Sequence, residues 1–198
     1  MNLSEMRTIV RRDLHDEDAG NYRWTDDELD RHIQRAVKEF SEQVPYEQKA
    51  TEATTAGSRE IDISNLTNRI IIEAVEFPID TDPPTYPRFS IWGDVLTIAS
   101  GSEPDGSNCR IYYGTLHTLD ASSSTLPPKH EDLVATGACG YAAVEWAAYA
   151  INRVNVGGAN VSKEFRLWGS EKLAVFQEAL RRLGRRQRVR VQRLFDAD

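Results

Sequence analysis

The pattern of apolar and polar positions divides the chain into helical ends and a β middle. Leu3, Met6, Val10 and Leu14 recur at helical spacing, and Asn2 with Glu5 has the form of a capping box, so a helix is expected over residues 2–16. A second start is sharper. Thr25 stands as N-cap with Glu28 three residues on, Trp24 and Leu29 flank them as a hydrophobic staple, and Asp26, Asp27 and Glu28 suit the positive end of a helix dipole. The apolar stripe then runs through Ile33, Val37, Phe40 and Val44 until Pro45 ends it, which predicts a helix over 25–44.

The period changes after that. Ile61 and Ile63 alternate with polar residues, and residues 70–77 form a β-branched run closed by Pro78. Residues 89–92 and 95–98 face each other across Gly93-Asp94, a two-residue hairpin signal, and 109–113 reads as a further strand. Pro83, Pro84 and Pro87 mark an irregular connection. The β region is therefore placed at 58–113. Pro127-Pro128 then opens an Ala-rich helix expected over 128–152, Gly157-Gly158 breaks it, and a last helix is expected over 162–184 with Phe165, Trp168, Phe176, Leu180 and Leu183 on one face. The pattern gives an α+β fold: about four helices form the core, a small antiparallel sheet or hairpin is inserted, and an extended tail follows. Residues 1–184 are read as one domain and 185–198 as a basic docking tail.

Charge sets that tail apart. Residues 181–198 hold seven arginines (Arg181, Arg182, Arg185, Arg186, Arg188, Arg190, Arg193) against two aspartates, a net +5. The whole chain is −7, so residues 1–180 carry −12. A basic segment on an acidic body points to an interaction with nucleic acid or an acidic protein surface. The cations here are arginine, whose planar guanidinium suits bidentate contact with carboxylate or phosphate. Val189, Val191, Leu194 and Phe195 are interleaved with them, which a purely electrostatic tail would not need. The alternation over 189–193 also departs from helical period. Partner contact is therefore expected mainly at 188–195, and the candidate docking residues are Arg185, Arg186, Arg188, Arg190, Arg193, Leu194 and Phe195; Arg181, Arg182, Arg185 and Arg186 also fit a solvated helix face.

Length and composition are those of a globular chain: 198 residues with 40% apolar content. The two cysteines, Cys109 and Cys139, form no CxxC pair or disulfide framework, and residues 1–18 lack the unbroken apolar core of a secretory signal, so a reducing cytoplasm is the default. Residues 133–151 contain Glu145 as their only charge, but their Ala and Gly content favours a buried helix over a membrane span. Catalytic and metal chemistry finds little support. Asp16, Asp18 and Asp27 fall at positions 1, 3 and 12 of a calcium-loop count, but Gly20 falls at position 5 and Asn21 where the turn glycine belongs. The four histidines have no ligand spacing, and Cys139 sits in the most apolar helix, where a thiol is usually a small buried hydrophobe. No nucleophile-elbow, phosphate-loop or metalloprotease motif is present, so no catalytic, metal or cofactor residue is expected.

Four stretches carry a resemblance. They are the opening helix at 3–14; Arg23-Trp24-Thr25-Asp26-Asp27-Glu28-Leu29; Tyr112-Tyr113-Gly114-Thr115-Leu116-His117-Thr118-Leu119; and Leu126-Pro127-Pro128 with Tyr141-Ala142-Ala143 beyond it. In this order the chain resembles the head–tail adaptor (connector) proteins of tailed bacteriophages and prophages over most of residues 1–152. The resemblance implies a structural virion protein, assembled in the host cytoplasm and placed at the head–tail junction. It implies a ring, typically twelve-fold, beneath the portal protein ring, with C-terminal segments docked on the portal and a downstream tail or stopper component on the opposite face. Genomic DNA would pass through the channel without specific binding, and no membrane is involved. The loop at 101–108 or the Gly93-Asp94 tip is the expected contact with the downstream component. An acidic body suits a conduit that repels the phosphate backbone. The alternative is a nucleic-acid-binding protein that uses the basic tail, although the body shows no second basic patch or helix-turn-helix.

Overall fold

The structure, a computed structural model, describes residues 1–150 and 160–195, with side chains at 1–149 and 160–186. It contains four α-helices and two small antiparallel sheets, an α+β fold. The chain forms two compact units. The helical unit comprises Met1–Val44 and His117–Arg188, and the β unit is built on Pro45–Leu116.

In the helical unit, α1 (Leu3–Asp13) and α2 (Asp26–Gln43) begin as their sequence signals require. The side chains of Asn2 and Thr25 accept from the N–H groups of Glu5 and Glu28, and each glutamate accepts in return from its cap residue's N–H. Trp24 and Leu29, the predicted staple, are both buried. The connection between the helices is fastened by Arg11. It is 6% exposed, donates to Asp16 at 2.6 Å and Asp26 at 2.8 Å, and reaches the Trp24 carbonyl at 3.0 Å. Asp16 also accepts from the Arg23 N–H at 2.7 Å. This carboxylate therefore organises the loop by neutralising a buried guanidinium.

A 3-10 turn (Pro128–His130) leads into α3 (Glu131–Ala150), whose buried residues include Val134, Ala138, Cys139, Ala142 and Ala143. Its small residues let α4 (Val161–Phe195) approach closely. A methyl group added at Gly140 would meet Leu173 at 2.8 Å, and one added at Gly169 would meet Val144 at 2.9 Å. Phe176, fully buried, lies over Gly137. No helix among the described residues is long and apolar enough to cross a membrane. The expected break at Gly157-Gly158 lies outside the described residues.

In the β unit, β1 (Tyr46–Ala53), β6 (Asn108–Thr115) and β3 (Arg69–Glu76) form one sheet with β6 central. A second sheet has the order β2 (Glu60–Asp62), β5 (Val95–Ile98), β4 (Phe89–Trp92). Ile61, Ile63, Ile72, Val75, Leu96, Ile98, Cys109 and Ile111 are among the residues of its core. The hairpin forms as read: Trp92 pairs with Val95 around Gly93-Asp94, and Gly93 takes φ +59° while Asp94 does not turn positive, as in a turn with glycine first.

Two boundaries differ from the sequence reading. The β region does not begin at 58, because β1 pairs with β6 over eight residues, from Tyr46↔Thr115 to Ala53↔Asn108. Its sequence, YEQKATEA, has few strand-favouring residues. An edge strand needs only one buried face, and here backbone pairing outweighs weak propensity. At the other end α4 does not stop at Gly184 but continues to Phe195. No proline follows Pro128, a single helical glycine costs only about 1 kcal/mol, and Arg, Leu and Gln are good helix formers. Counting from Leu180, the residues Leu183, Gln187, Val191 and Leu194 follow at steps of three or four, so a helical period underlies the local alternation at 189–193.

Candidate docking surface

The basic surface is built on the C-terminal half of α4. Phe176, Leu180 and Gly184 are buried in the helical unit, with Gly184 against the Gln43 side chain at the end of α2, which fixes this part of the helix. Arg181, Arg182, Arg185 and Arg186 are exposed. The first two have Glu178 nearby at 3.9 and 4.0 Å, pairs two-thirds exposed that contribute little to stability. Four guanidinium groups thus stand in solvent within two turns of one helix. Of the candidate docking residues, the structure places Arg185 and Arg186 on this surface. The side chains of Arg188, Arg190, Arg193, Leu194 and Phe195 lie outside the described residues, although their backbone belongs to α4. Arg181 and Arg182, which the sequence reading left outside the docking set but allowed as a solvated helix face, are exposed beside Arg185 and Arg186.

Several other titratable groups have structural partners. Between α2 and α3, Glu145 pairs with Arg31 and stands 2.6 Å from the Nε2 of His32, while Glu39 accepts from the Tyr141 hydroxyl at 2.6 Å and from Arg35 at 3.3 Å. Burial, reinforced by the Glu39 hydrogen bond, pushes the Tyr141 hydroxyl up to about 12. His117 is buried and spans from the Val44 carbonyl (3.1 Å) to the Thr125 carbonyl (2.9 Å), and its N–H donates to Ser41 at 2.9 Å. It ties together the two points at which the chain leaves and re-enters the helical unit. Cys139 is buried with its Sγ 3.8 Å from the Val10 carbonyl, and burial raises its thiol to about 12, the opposite of an activated nucleophile.

General acid catalysis by a carboxyl group would call for an upward shift. Each carboxyl with a displaced pKa among the described residues (Asp26, Glu28, Asp62, Glu76, Asp105 and Asp120) is displaced downward instead. In Asp120, N–H and hydroxyl donors from Ser122 and Ser123 bring the carboxyl to about 2. Ion pairs and turns account for this chemistry.

Comparison with known proteins agrees. No curated protein matches the chain. The family model described as SU10 adaptor protein matches residues 1–194, nearly the whole length and including the arginine-bearing helix. Adaptors of this kind are structural proteins rather than enzymes, and they interact with portal and tail components at the head–tail junction of the virion. With capped helices, an intervening β region and a basic terminal helix, the chain belongs to the SU10 adaptor protein family, the phage head–tail adaptors.

Proposed function

We propose that this protein forms a ring beneath the portal and that the C-terminal part of α4 is the segment by which each copy docks on it. One observation carries this reading. Arg181, Arg182, Arg185 and Arg186 are exposed on a helix whose apolar face is already used up to Gly184, and three more arginines and four apolar residues follow by 195. Such a helix can insert into a groove: the apolar residues anchor it, and the guanidinium groups meet carboxylates at the rim. The docking residues are Arg185, Arg186, Arg188, Arg190, Arg193, Leu194 and Phe195. The acidic body, −12 over residues 1–180, suits a channel wall that repels the DNA it conducts.

Deletion of residues 185–198 tests the proposal. Gly184 is the last buried position of α4 among the described side chains, so the shortened chain should keep its fold and melt as the full chain does. It should fail to co-purify with the portal ring. Retained portal binding by the shortened chain would show that another surface docks.

A further inference from the structure

The β unit presents an unusual side chain. Trp92 is 90% exposed at the end of β4, and Ile91 (42%) and Val95 (38%) are exposed beside it. A scattered surface leucine is ordinary, but a tryptophan left almost wholly in water on a defined turn is the form of an interface anchor. The turn is also held in place. Arg69 donates to the Gly93 carbonyl at 3.0 Å and to the Asp94 carboxylate at 2.5 Å, and its other Nη donates to the carbonyls of Ile63 and Leu66. A fixed knob loses little entropy when it is buried in a partner.

The helical unit carries a matching recess. A cavity of about 290 Å³ is lined by apolar Leu14, Phe165 and Trp168 and by charged residues that include Asp13, Arg23 and Glu164. This is room for an indole in an apolar setting. The Arg23 guanidinium already lies 5.2 Å from the ring centres of Trp146 and Phe165, so an incoming indole would meet aromatic rings and a cation, the surroundings that tryptophan favours. The rim also suits the knob in charge: exposed Asp94 beside Trp92 would meet Arg23 at the recess, whose other charged lining residues include Asp13 and Glu164.

We infer that Trp92 of one copy seats in the Leu14–Phe165–Trp168 recess of a second copy, and that this contact links neighbours in the ring. The inference rests on the ring reading above and adds the surface that joins subunit to subunit. Knob and recess are different patches, so the contact is head-to-tail, the kind that can close into a ring; two Trp92 side chains meeting each other would stop at a dimer.

The test is native mass spectrometry of the full chain mixed with the portal ring at rising concentration, comparing wild type, Trp92→Ala, Glu164→Trp and the double variant. Glu164 is exposed in the first turn of α4, so a tryptophan there fills the recess from its own chain. Wild type should load cooperatively, leaving portals either empty or complete. Each single variant should give partly filled portals and need about tenfold more protein, and the double variant should be no worse than either, because both remove the same contact. Complete loading by Trp92→Ala, or multiplied losses in the double variant, would overturn the inference while leaving the ring reading intact. Trp92 would then be free to serve a downstream tail component. A wild-type dimer that forms without portal and is lost in Trp92→Ala would replace the head-to-tail contact by Trp92 meeting Trp92. If wild type itself fails to load, the ring reading falls, and the subunit contact with it.

Discussion

The helical and β units reach stability by different means. The helical unit has the larger core, with fully buried residues drawn from all four helices, among them Met6, Phe40, Val134 and Phe176. The β unit has a smaller core, and arginine side chains reinforce it: Arg69 holds the hairpin turn, and Arg110 joins buried Glu76 to Asp80 at 3.0 Å. Chemistry divides along the same line. All four histidines lie in the helical unit, whereas the most exposed aromatic side chain among the described residues, Trp92, lies in the β unit. A small unit that displays a tryptophan needs its turns pinned by side chains, because its core is too small to do so.

The largest effect should separate the two cores. Phe176→Ala removes a fully buried ring that packs over Gly137 and should cost about 3–5 kcal/mol; Leu96→Ala in the β unit should cost about 2–4 kcal/mol. Hydrogen exchange by residue should find the first loss concentrated in α1–α4 and the second in the two sheets. Uniform loss from both substitutions would show that the units unfold as one. A smaller change tests whether the cap defines α2. Thr25→Ala removes the acceptor for the Glu28 N–H and should cost about 1 kcal/mol in thermal or denaturant unfolding, whereas Thr25→Asp should keep most of that.

Acid gives the gentlest contrast. Burial lowers the pKa of His32, His117 and His130, with Glu145 opposing the shift at His32 and Lys129 adding to it at His130. A histidine whose folded pKa lies below its unfolded value near 6.5 favours the native state above that pH. The contribution is lost as pH falls from there through the folded pKa. The helical unit should therefore lose protection on going from neutral pH toward 5 before the β unit does. His117→Gln should flatten part of that slope; equal acid sensitivity of the two units would contradict the assignment.

Local chemistry made part of this structure legible. Both capping boxes and the Gly93-Asp94 hairpin depend on residues within a few positions of one another and form as the sequence predicts, and Trp24 and Leu29 are both buried, as a staple requires. Strand β1 was hidden because its pairing with β6 joins Tyr46 to Thr115 across the whole β region, a contact that YEQKATEA does not advertise. The continuation of α4 was hidden for the opposite reason. Val189-Arg190-Val191 looks like strand alternation over three residues, and only a count running back to Leu180 reveals the helical step. Of the candidate docking surface, the arginine content and a solvated face for Arg185 and Arg186 were legible; the burial of Gly184 was not, because it depends on Gln43 at the end of α2.

On the reading proposed above, the basic helix end recognises protein rather than nucleic acid. The most direct measurement titrates the full chain, and a chain ending at Gly184, against the portal ring and against duplex DNA at low and near-physiological salt. The full chain should bind the portal saturably, also at the higher salt; the shortened chain should not, and neither should bind DNA more than weakly. Tight DNA binding that falls steeply with salt, together with no binding to the portal, would contradict that reading and make α4 a phosphate-reading element.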